Sequence, residues 1–154
     1  MAMKECYNYF LDLMFFLEGR EYMSTLYSIG EVLIDFVANE KGKGLDEVEA
    51  FTKLPGGAPA NVAAAVSKYG HNSSMITKVG KDGFGDYLIA VLKKAGVNID
   101  KVFQTTEAPT GLAFVSLKEN GERDFAFYRK PSADLLLQAD EIKEDWFAKG
   151  DLLH

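Results

Sequence analysis

Strand-like and helix-like segments alternate between Met23 and Gly96, and this order constrains the fold more than any other feature of the sequence. Residues 26–37 are rich in β-branched and aliphatic residues, and this nearly continuous hydrophobicity is typical of a strand covered on both faces of a parallel sheet. Further along the chain we predict a strand over 48–54, a helix over 60–69, a strand over 73–79 and a helix from Phe84 that ends at Gly96. The sequence therefore predicts an α/β domain with right-handed crossover connections.

A second type of pattern follows, in which residues 111–117 and 123–129 alternate on either side of Asn120-Gly121. Asn-Gly between two alternating segments is the strongest short signal for a β-hairpin. A hairpin inserted into an α/β chain typically forms a small second layer, and its position after the other elements predicts a lid. The remaining segments are predicted as a turn over 39–46, a helix over 139–149 and the first half of a buried strand over 151–154.

Composition and charge exclude several classes of protein. A chain of 154 residues is long enough for one domain with a sizeable core. The formal net charge of −6 argues against a nucleic-acid-binding surface, which needs basic groups for the phosphates. Cys6 is the only cysteine, so no intrachain disulfide can form, and we predict a cytoplasmic location. His71 and His154 lack the neighbouring ligands of a zinc site, so we predict no metal site in this chain.

Residues 1–22 form an N-terminal extension that we treat separately from the rest of the chain. Residues 7–17 are apolar, but Asp12 interrupts them and they fall short of the roughly 20 residues that span a bilayer. The positive start and small-residue cleavage site of a signal peptide are also missing. We predict no membrane partner and expect the fold to begin near Met23. An added helix and a misassigned start remain the two interpretations of the extension.

The most informative short motif is the segment 56–61, with the sequence GGAPAN, at the start of the alanine-rich helix. Gly56 and Gly57 lack a Cβ, so a ligand can approach the backbone closely. Pro59 suits the first turn of a helix, and the amide of Asn61 can both donate to and accept from a polyol. The motif predicts a binding loop. The alternative is an ordinary loop before a buried helix.

Two common nucleotide-binding motifs are missing. The sequence contains no G-x-x-x-x-G-K-[ST] segment and therefore no P-loop. No G-x-G-x-x-G segment follows the first strand, which argues against a dinucleotide-binding domain without removing it as an alternative.

Residues 56–63 (GGAPANVA), followed by Gly70 and Gly80, resemble the N-terminal signature of the PfkB (ribokinase-like) carbohydrate kinases, and within that family the fructokinases. Further segments that fit the family are Gly30-Glu31, Asp35, residues 80–85 (GKDGFG), Thr110-Gly111, residues 127–129 (FYR) and residues 132–134 (SAD). The resemblance covers residues 24–154. It implies a Rossmann-like, ribokinase-type three-layer α/β sandwich, of which residues 23–154 form a truncated part. It also implies a small β-sheet lid with strands near 36–54 and 111–130.

The same resemblance implies a sugar-binding site. In the family, an acid at the position of Asp35 and an asparagine at the position of Asn61 form hydrogen bonds with sugar hydroxyls. The glycine pair, Gly56 and Gly57, passes close beneath the sugar. A carboxylate accepts from two vicinal hydroxyls, which explains the choice of an acid. The structural alternatives are a turn-capping acid at Asp35 and a plain helix-start residue at Asn61.

Two lid residues, Phe127 and Arg129, are implied to face the sugar. The related 2-keto-3-deoxygluconate kinases tend to have a tyrosine near the position of Phe127, which helps to hold the acid substrate. Phenylalanine here therefore favours a neutral sugar. The alternative for Arg129 is an exposed charge on the hairpin.

The family's reaction is transfer of the γ-phosphoryl group of ATP to a primary hydroxyl of a small sugar, for which the resemblance implies fructose as the substrate. ATP and Mg²⁺ are the implied cofactors, with K⁺ as a further cation. Family members are about twice as long as this chain, and their second signature, a Gly-Ala-Gly-Asp segment with the catalytic aspartate, is absent from the sequence. We therefore predict no catalytic residue in this chain, which carries the sugar-binding half and is inactive in isolation.

A sheet that ends at His154 keeps an open edge, so we expect a partial copy of a longer kinase. The resemblance also implies a homodimer through the lid strands. Within the family, a ribokinase, a nucleoside kinase or a 2-keto-3-deoxygluconate kinase is the alternative. Outside it, the alternatives are a non-catalytic sugar-binding fragment and a dinucleotide-binding domain.

Overall fold

The computed structural model describes residues 24–120 and 122–154, so the extension over residues 1–22 lies outside the described residues. This part of the chain holds two four-stranded sheets and two α-helices. The elements are β1 (Thr25–Ile29), β2 (Leu33–Gly42), β3 (Phe51–Gly56), α1 (Ala58–Lys68), β4 (Asn72–Gly80), α2 (Gly83–Lys94), β5 (Val102–Thr105), β6 (Leu112–Lys118), β7 (Arg123–Tyr128), the 3₁₀ turns Ala133–Leu136, Ala139–Glu141 and Glu144–Trp146, and β8 (Leu152–Leu153).

The first sheet, which we call the core sheet, is parallel and has the order β5-β4-β1-β8. Residues 73–77 of β4 are all buried, so this strand is covered on both faces. The apolar core joins β2, β4, α1 and α2 through Ile34, Ala63, Met75, Val79, Leu88 and Leu92. The prediction of an α/β fold with a buried parallel sheet is therefore confirmed.

The helices predicted over residues 60–69 and from Phe84 to Gly96 are both present. Helix α1 starts after Gly57 with a proline in its first turn, and it buries Ala60, Ala63 and Val66 on one side. Helix α2 starts after Asp82 and ends at the Ala95 cap, one residue before Gly96, whose φ of 87° only glycine adopts easily. Within the described ranges, neither helix has the length and hydropathy that crossing a bilayer requires.

The second sheet has the order β3-β2-β6-β7. Strands β6 and β7 form the predicted antiparallel hairpin, and β2 joins it in parallel through β6. One face of this sheet packs toward α2, because Phe36 stacks on Phe114 at 4.9 Å and meets Phe84 of α2 edge-on at 5.8 Å. The opposite face, which we call the open face, carries Asp35 and Phe127 and the apolar side chains Leu54, Val115, Leu117 and Phe125.

The single strand predicted over residues 26–37 is wrong, since β1 and β2 belong to different sheets. The chain turns at Gly30, where φ is 147° and a Cβ would lie 2.6 Å from Cγ of Pro59. A continuous apolar run does not reveal such a turn. β2 also continues to Gly42, well into the turn predicted over 39–46.

The helix predicted over residues 139–149 is also wrong, because this stretch forms two short 3₁₀ turns separated by the extended residues Ile142 and Lys143. Tertiary contacts explain the difference. The hydroxyl of Tyr27 donates to the carbonyl of Trp146 at 2.7 Å, and its ring packs edge-on against Phe147 at 4.8 Å. These contacts hold the segment alongside β1 and override its helical periodicity.

Lys78 of β4 ties the same segment to the core sheet. Its Nζ donates to the two carboxylate oxygens of Glu141 at 2.7 and 2.6 Å and to the carbonyl of Leu136 at 3.0 Å. The hydrogen bonds from Lys78 and from the backbone N–H of Gln138 hold the pKa of Glu141 below its usual range. A nearly buried cation thereby fixes a segment with little regular structure of its own.

Replacing Lys78 by methionine should make amide hydrogen exchange over residues 136–142 several-fold faster. Methionine has a similar length, but it cannot donate to Leu136 and Glu141 as the Lys78 ammonium does. Hydrogen-exchange mass spectrometry measures the effect. Lys101→Met is the matched control, because Lys101 contacts the Trp146 ring at 5.1 Å without joining the Glu141 pair. Unchanged exchange in the Lys78 variant would show that the segment is held elsewhere.

Candidate functional site

Asp35 lies on the open face of the second sheet, near the start of β2. Its side chain is partly buried, and this burial raises the pKa of the carboxyl above its usual range. Across residues 24–120 and 122–154, no donor or cation pairs with the carboxylate. A half-buried acid without a partner is unfavourable for the fold. This arrangement therefore favours ligand binding over the turn-capping alternative.

Gly56, the last residue of β3, and Gly57, which follows it, make close contacts within the chain itself. A Cβ at Gly56 would overlap the carboxylate of Asp35, so the absence of a side chain leaves room for that group. Gly57 has a φ of 106°, and a Cβ there would overlap the carbonyl oxygen of Glu31. Gly56 thus shapes the surroundings of Asp35, whereas Gly57 lets α1 begin against the chain segment that leads into β2.

Gly57→Ala is expected to reduce the free energy of unfolding by about 3 kcal/mol, because the new Cβ meets backbone atoms and φ stays positive. Gly56→Ala should cost only about 1 kcal/mol, because the displaced group is the end of one side chain. Urea denaturation of both variants tests this. Gly83→Ala, at a helical position with no atom within 4 Å of the added Cβ, is the control. Equal losses at the two positions would refute this interpretation.

Asn61 lies in the first turn of α1 and is exposed. Its backbone N–H donates to the carbonyl of Gly57 at 3.0 Å, and no side chain caps this end of the helix. Asn61 lines a cavity of about 130 Å³ between α1 and α2, together with Gly56. The amide side chain is therefore accessible from the glycine segment, but it does not share a cavity with Asp35.

Phe127 occupies the same row of the second sheet as Asp35. The register places Asp35 beside Ala113 of β6 and Ala113 beside Phe127 of β7. Two strand spacings separate Asp35 from Phe127 by about 10 Å, roughly the width of a sugar with its contacts. The Phe127 ring is 60% exposed and stacks on Phe125 at 5.7 Å. An acid and an aromatic ring thus face the same side across a small side chain.

Arg129 follows β7 and lies against Gly111 on the open face. A Cβ at Gly111 would lie 3.3 Å from Cγ of Arg129 and 3.6 Å from Cβ of Leu33, two residues before Asp35. The guanidinium forms an ion pair with Asp134. Ser132 donates to the same carboxylate at 2.6 Å. Arg129 is therefore not the free hairpin charge of the alternative interpretation. No role was predicted for Asp134 or Ser132, although both lie in a motif of the resemblance.

A larger cavity of about 1170 Å³ lies between the second sheet and the start of α2. Phe84 and Tyr128 are among its aromatic lining residues, and Lys53 and Lys130 are cations at its wall. Of the residues predicted to bind sugar, Phe127 and Arg129 line this cavity. Asp35 lines neither this cavity nor the small one at Asn61. The structure thus brings Asp35, Gly56, Phe127 and Arg129 to one face of a sheet and leaves Asn61 at its margin.

Asp82 connects α2 with the start of the hairpin. One carboxylate oxygen accepts from the N–H groups of Phe84 at 3.0 Å and Gly85 at 2.8 Å, and from the hydroxyl of Thr110 at 2.8 Å. The other accepts from the N–H of Thr110 at 2.9 Å. Although burial raises the pKa of Asp82, these hydrogen bonds outweigh it and hold the pKa below its usual range. This carboxylate is fully occupied, in contrast to that of Asp35.

Residues 23–154 match the family described as pfkB family carbohydrate kinase, and the chain belongs to this family. No group of three His, Cys, Asp or Glu side chains that could hold a metal ion occurs within the described part of the chain.

Similar proteins support the same assignment. The Arabidopsis thaliana protein named probable fructokinase-5 is 51% identical over 129 residues, which cover 84% of this chain and 40% of that protein. A crystal structure of an uncharacterized sugar kinase from Pyrococcus horikoshii in complex with ATP matches with a TM-score of 0.73 and 42% identity, over 78% of this chain and 39% of that chain. A structure of fructokinase with bound ATP from Xylella fastidiosa has a TM-score of 0.71 and 41% identity, over 81% and 39% of the two chains.

The chain spans about 40% of the length of the curated relatives that it matches. Over that length it has the α/β fold of these sugar kinases, as the resemblance implied.

Proposed function

We propose that this chain is the sugar-binding part of an ATP-dependent carbohydrate kinase whose acceptor is fructose. Relatives that are named as fructokinases and are about half identical to the chain support the acceptor. Structures of similar kinases with bound ATP support the donor. The described residues contribute the acceptor side of the reaction.

The observation that carries this proposal is the carboxylate of Asp35 on the open face, which pairs with no donor or cation among the described residues. A carboxylate accepts hydrogen bonds from two vicinal hydroxyls, and such charge-assisted bonds are among the stronger ones in proteins. Phe127, in the same register row two strands away, offers an apolar surface for the C–H groups of a sugar ring. Gly56 leaves the space beside Asp35 free of a side chain. Asn61 supplies a further donor and acceptor from the start of α1.

In the proposed reaction, the oxygen of a primary sugar hydroxyl forms a bond to the γ-phosphorus of ATP. The bond between that phosphorus and the β–γ bridging oxygen breaks, and the hydroxyl proton passes to a base. This chain's own residues bind and orient the sugar. Bound ATP and Mg²⁺, with K⁺ as a further cation, supply the phosphoryl group and neutralise its charge. We place the base and the nucleotide site in the part of such a kinase that the chain does not span.

Isothermal titration of the chain with fructose, ribose, 2-keto-3-deoxygluconate and NADH tests the proposal. We expect fructose to bind with a Kd on the order of 1 mM, because one half of a site contributes only part of the binding energy. The chain alone should release no ADP from ATP. Tighter binding of the sugar acid would assign the chain to another kinase of the family. Binding of NADH without any sugar would overturn the proposal.

We further propose that the second sheet serves as the lid of the site, that the protein is cytoplasmic, and that two copies pair through their lids. Exposed apolar side chains on the open face support the pairing: Leu54, Leu117, Phe125 and Phe127. Sedimentation velocity of the chain measures its assembly. A monomer at high concentration would contradict the pairing and leave the sugar proposal intact.

A further inference from the structure

On the open face of the second sheet, the cation nearest to Asp35 in the strand register is Arg129, and it is held in a neutral pair. Arg123 lies on the same face, at the far end of β7. Arg129 lies against Gly111 in the row that precedes Asp35, and its guanidinium contacts the carboxylate of Asp134. The Asp134 side chain is only 3% exposed and that of Arg129 is 25% exposed. An ion pair with one nearly buried member is weakly screened by solvent and salt. Asp134 therefore cancels most of the positive charge that Arg129 brings to the site.

The pair is fixed in one arrangement. The buried hydroxyl of Ser132 donates to Oδ1 of Asp134 at 2.6 Å and also contacts the carbonyl of Arg129 at 3.2 Å. A side chain at Gly111 would lie 3.3 Å from both Arg129 and Asp134, so the pair fills the space that this glycine leaves. Neither charged group is free to turn away from the other.

Arg129 nevertheless keeps donor capacity for a ligand. Its Nε is buried and has no hydrogen-bond partner among the described residues. A buried N–H without an acceptor is unfavourable, and an oxygen atom of a bound ligand would relieve it. The end of β7 thus offers a hydrogen-bond donor, Nε of Arg129, in a group whose positive charge is cancelled by Asp134.

We propose that Asp134 determines the class of sugar that this site accepts. By cancelling the charge of Arg129, it leaves a site in which, among the described residues on the register rows of Asp35 and Arg129, Asp35 is the uncompensated charge. Such a site accepts a neutral polyol through hydrogen bonds and repels a sugar that carries a carboxylate or phosphate. This inference rests on the proposed function and adds the residue that separates neutral sugars from sugar acids. Asp134 acts through Arg129 and is a specificity residue without a catalytic role.

The test compares the affinities of the chain for D-fructose and D-gluconate by isothermal titration. Asp134→Asn leaves Arg129 uncompensated, so the affinity for gluconate relative to fructose should rise about tenfold. Ser132→Ala is the matched control, because it disturbs the same cluster but keeps both charges. That variant should lower the affinity for both sugars and leave the ratio of the two affinities unchanged. If Asp134→Asn lowers both affinities equally, Asp134 has a structural role and the inference is wrong.

A measurement on the unaltered chain covers the case in which Asp134→Asn does not fold. Raising NaCl from about 0.02 to about 0.5 M should improve gluconate binding relative to fructose, because salt screens repulsion in a site of net negative charge. A fall in the affinity for gluconate relative to fructose would show that the site has a net positive charge, and it would overturn the inference. Failure of the unaltered chain to bind any sugar contradicts the proposed function instead, so the two failures are distinguishable.

Discussion

Asp35→Ala is expected to lower the affinity of the chain for fructose about 100-fold, because two charge-assisted hydrogen bonds to sugar hydroxyls are lost. The free energy of unfolding should stay unchanged or rise slightly. Among the described residues the carboxylate has no partner in the fold, and its partial burial is unfavourable. Titration calorimetry and urea denaturation on the same samples give the two quantities.

The control for this variant is Asp124→Ala. Asp124 lies on β7 of the same sheet, opposite Ser116, but on the face away from Asp35. It contacts Lys118 at 3.8 Å and is about one third exposed. Its removal should leave fructose binding as it is. Full fructose affinity in the Asp35 variant would show that this acid is structural.

The pKa of Asp35 adds a pH dependence to the same prediction. Burial raises this pKa in the folded chain, so protonation begins at a higher pH than for an ordinary aspartate. A protonated carboxyl accepts fewer hydrogen bonds from hydroxyls. Fructose affinity should therefore fall as the pH is lowered through the raised pKa. The fold itself gains from this protonation, because the unfavourable charge is removed. Affinity that does not change with pH would contradict a direct contact with the sugar.

Asp82→Ala should lower the free energy of unfolding by about 3 kcal/mol. The variant loses the N-terminal cap of α2 and both hydrogen bonds that Thr110 donates. For a domain of this size, the melting temperature should fall by about 10 °C. Thr110→Val removes only the hydroxyl and should cost about 1 kcal/mol. Similar losses in the two variants would show that the cap contributes little.

Protonation of Asp82 changes the stability of the fold in the opposite direction to protonation of Asp35. Hydrogen bonds lower the pKa of Asp82 in the folded chain despite its burial, so the folded state holds the ionised form. The stabilisation is complete above the pKa of the unfolded chain and is lost as the pH falls through the lowered pKa of the folded chain. Acid unfolding of Asp82→Ala should therefore be less steep than that of the unaltered chain.

Local patterns predicted most of the elements but not how they are joined. Periodicity and glycine signals identified α1, α2, β4 and the hairpin. They could not show that the apolar run over 26–37 turns at Gly30, because a glycine in such a run also fits a continuous strand. The 3₁₀ turns after Gln138 were missed because contacts with Tyr27 and Lys78 are remote in sequence.

The residues of the candidate site could be predicted from the sequence, but their placement on one face of a sheet could not. Gly56 was identified from the glycine pair before α1, and Asp35, Phe127 and Arg129 from a family resemblance. Their roles in sugar binding remain predictions. Their placement on one face depends on the parallel pairing of β2 with β6, which no local pattern contains. Asp134 could have been found only by asking which acid would pair with an arginine near the end of β7.

The pairing of β2 with β6 also has a kinetic consequence. The second sheet consists of two hairpins, β2–β3 and β6–β7, which each close over a short stretch of chain. The parallel ladder that joins them pairs Ile34 with Leu112 across most of the domain, and closing so long a loop has a substantial entropic cost. The surface that gathers Asp35 and Phe127 is thus completed only when distant parts of the chain meet. We expect this surface to form in the last stage of folding, after the helices have packed.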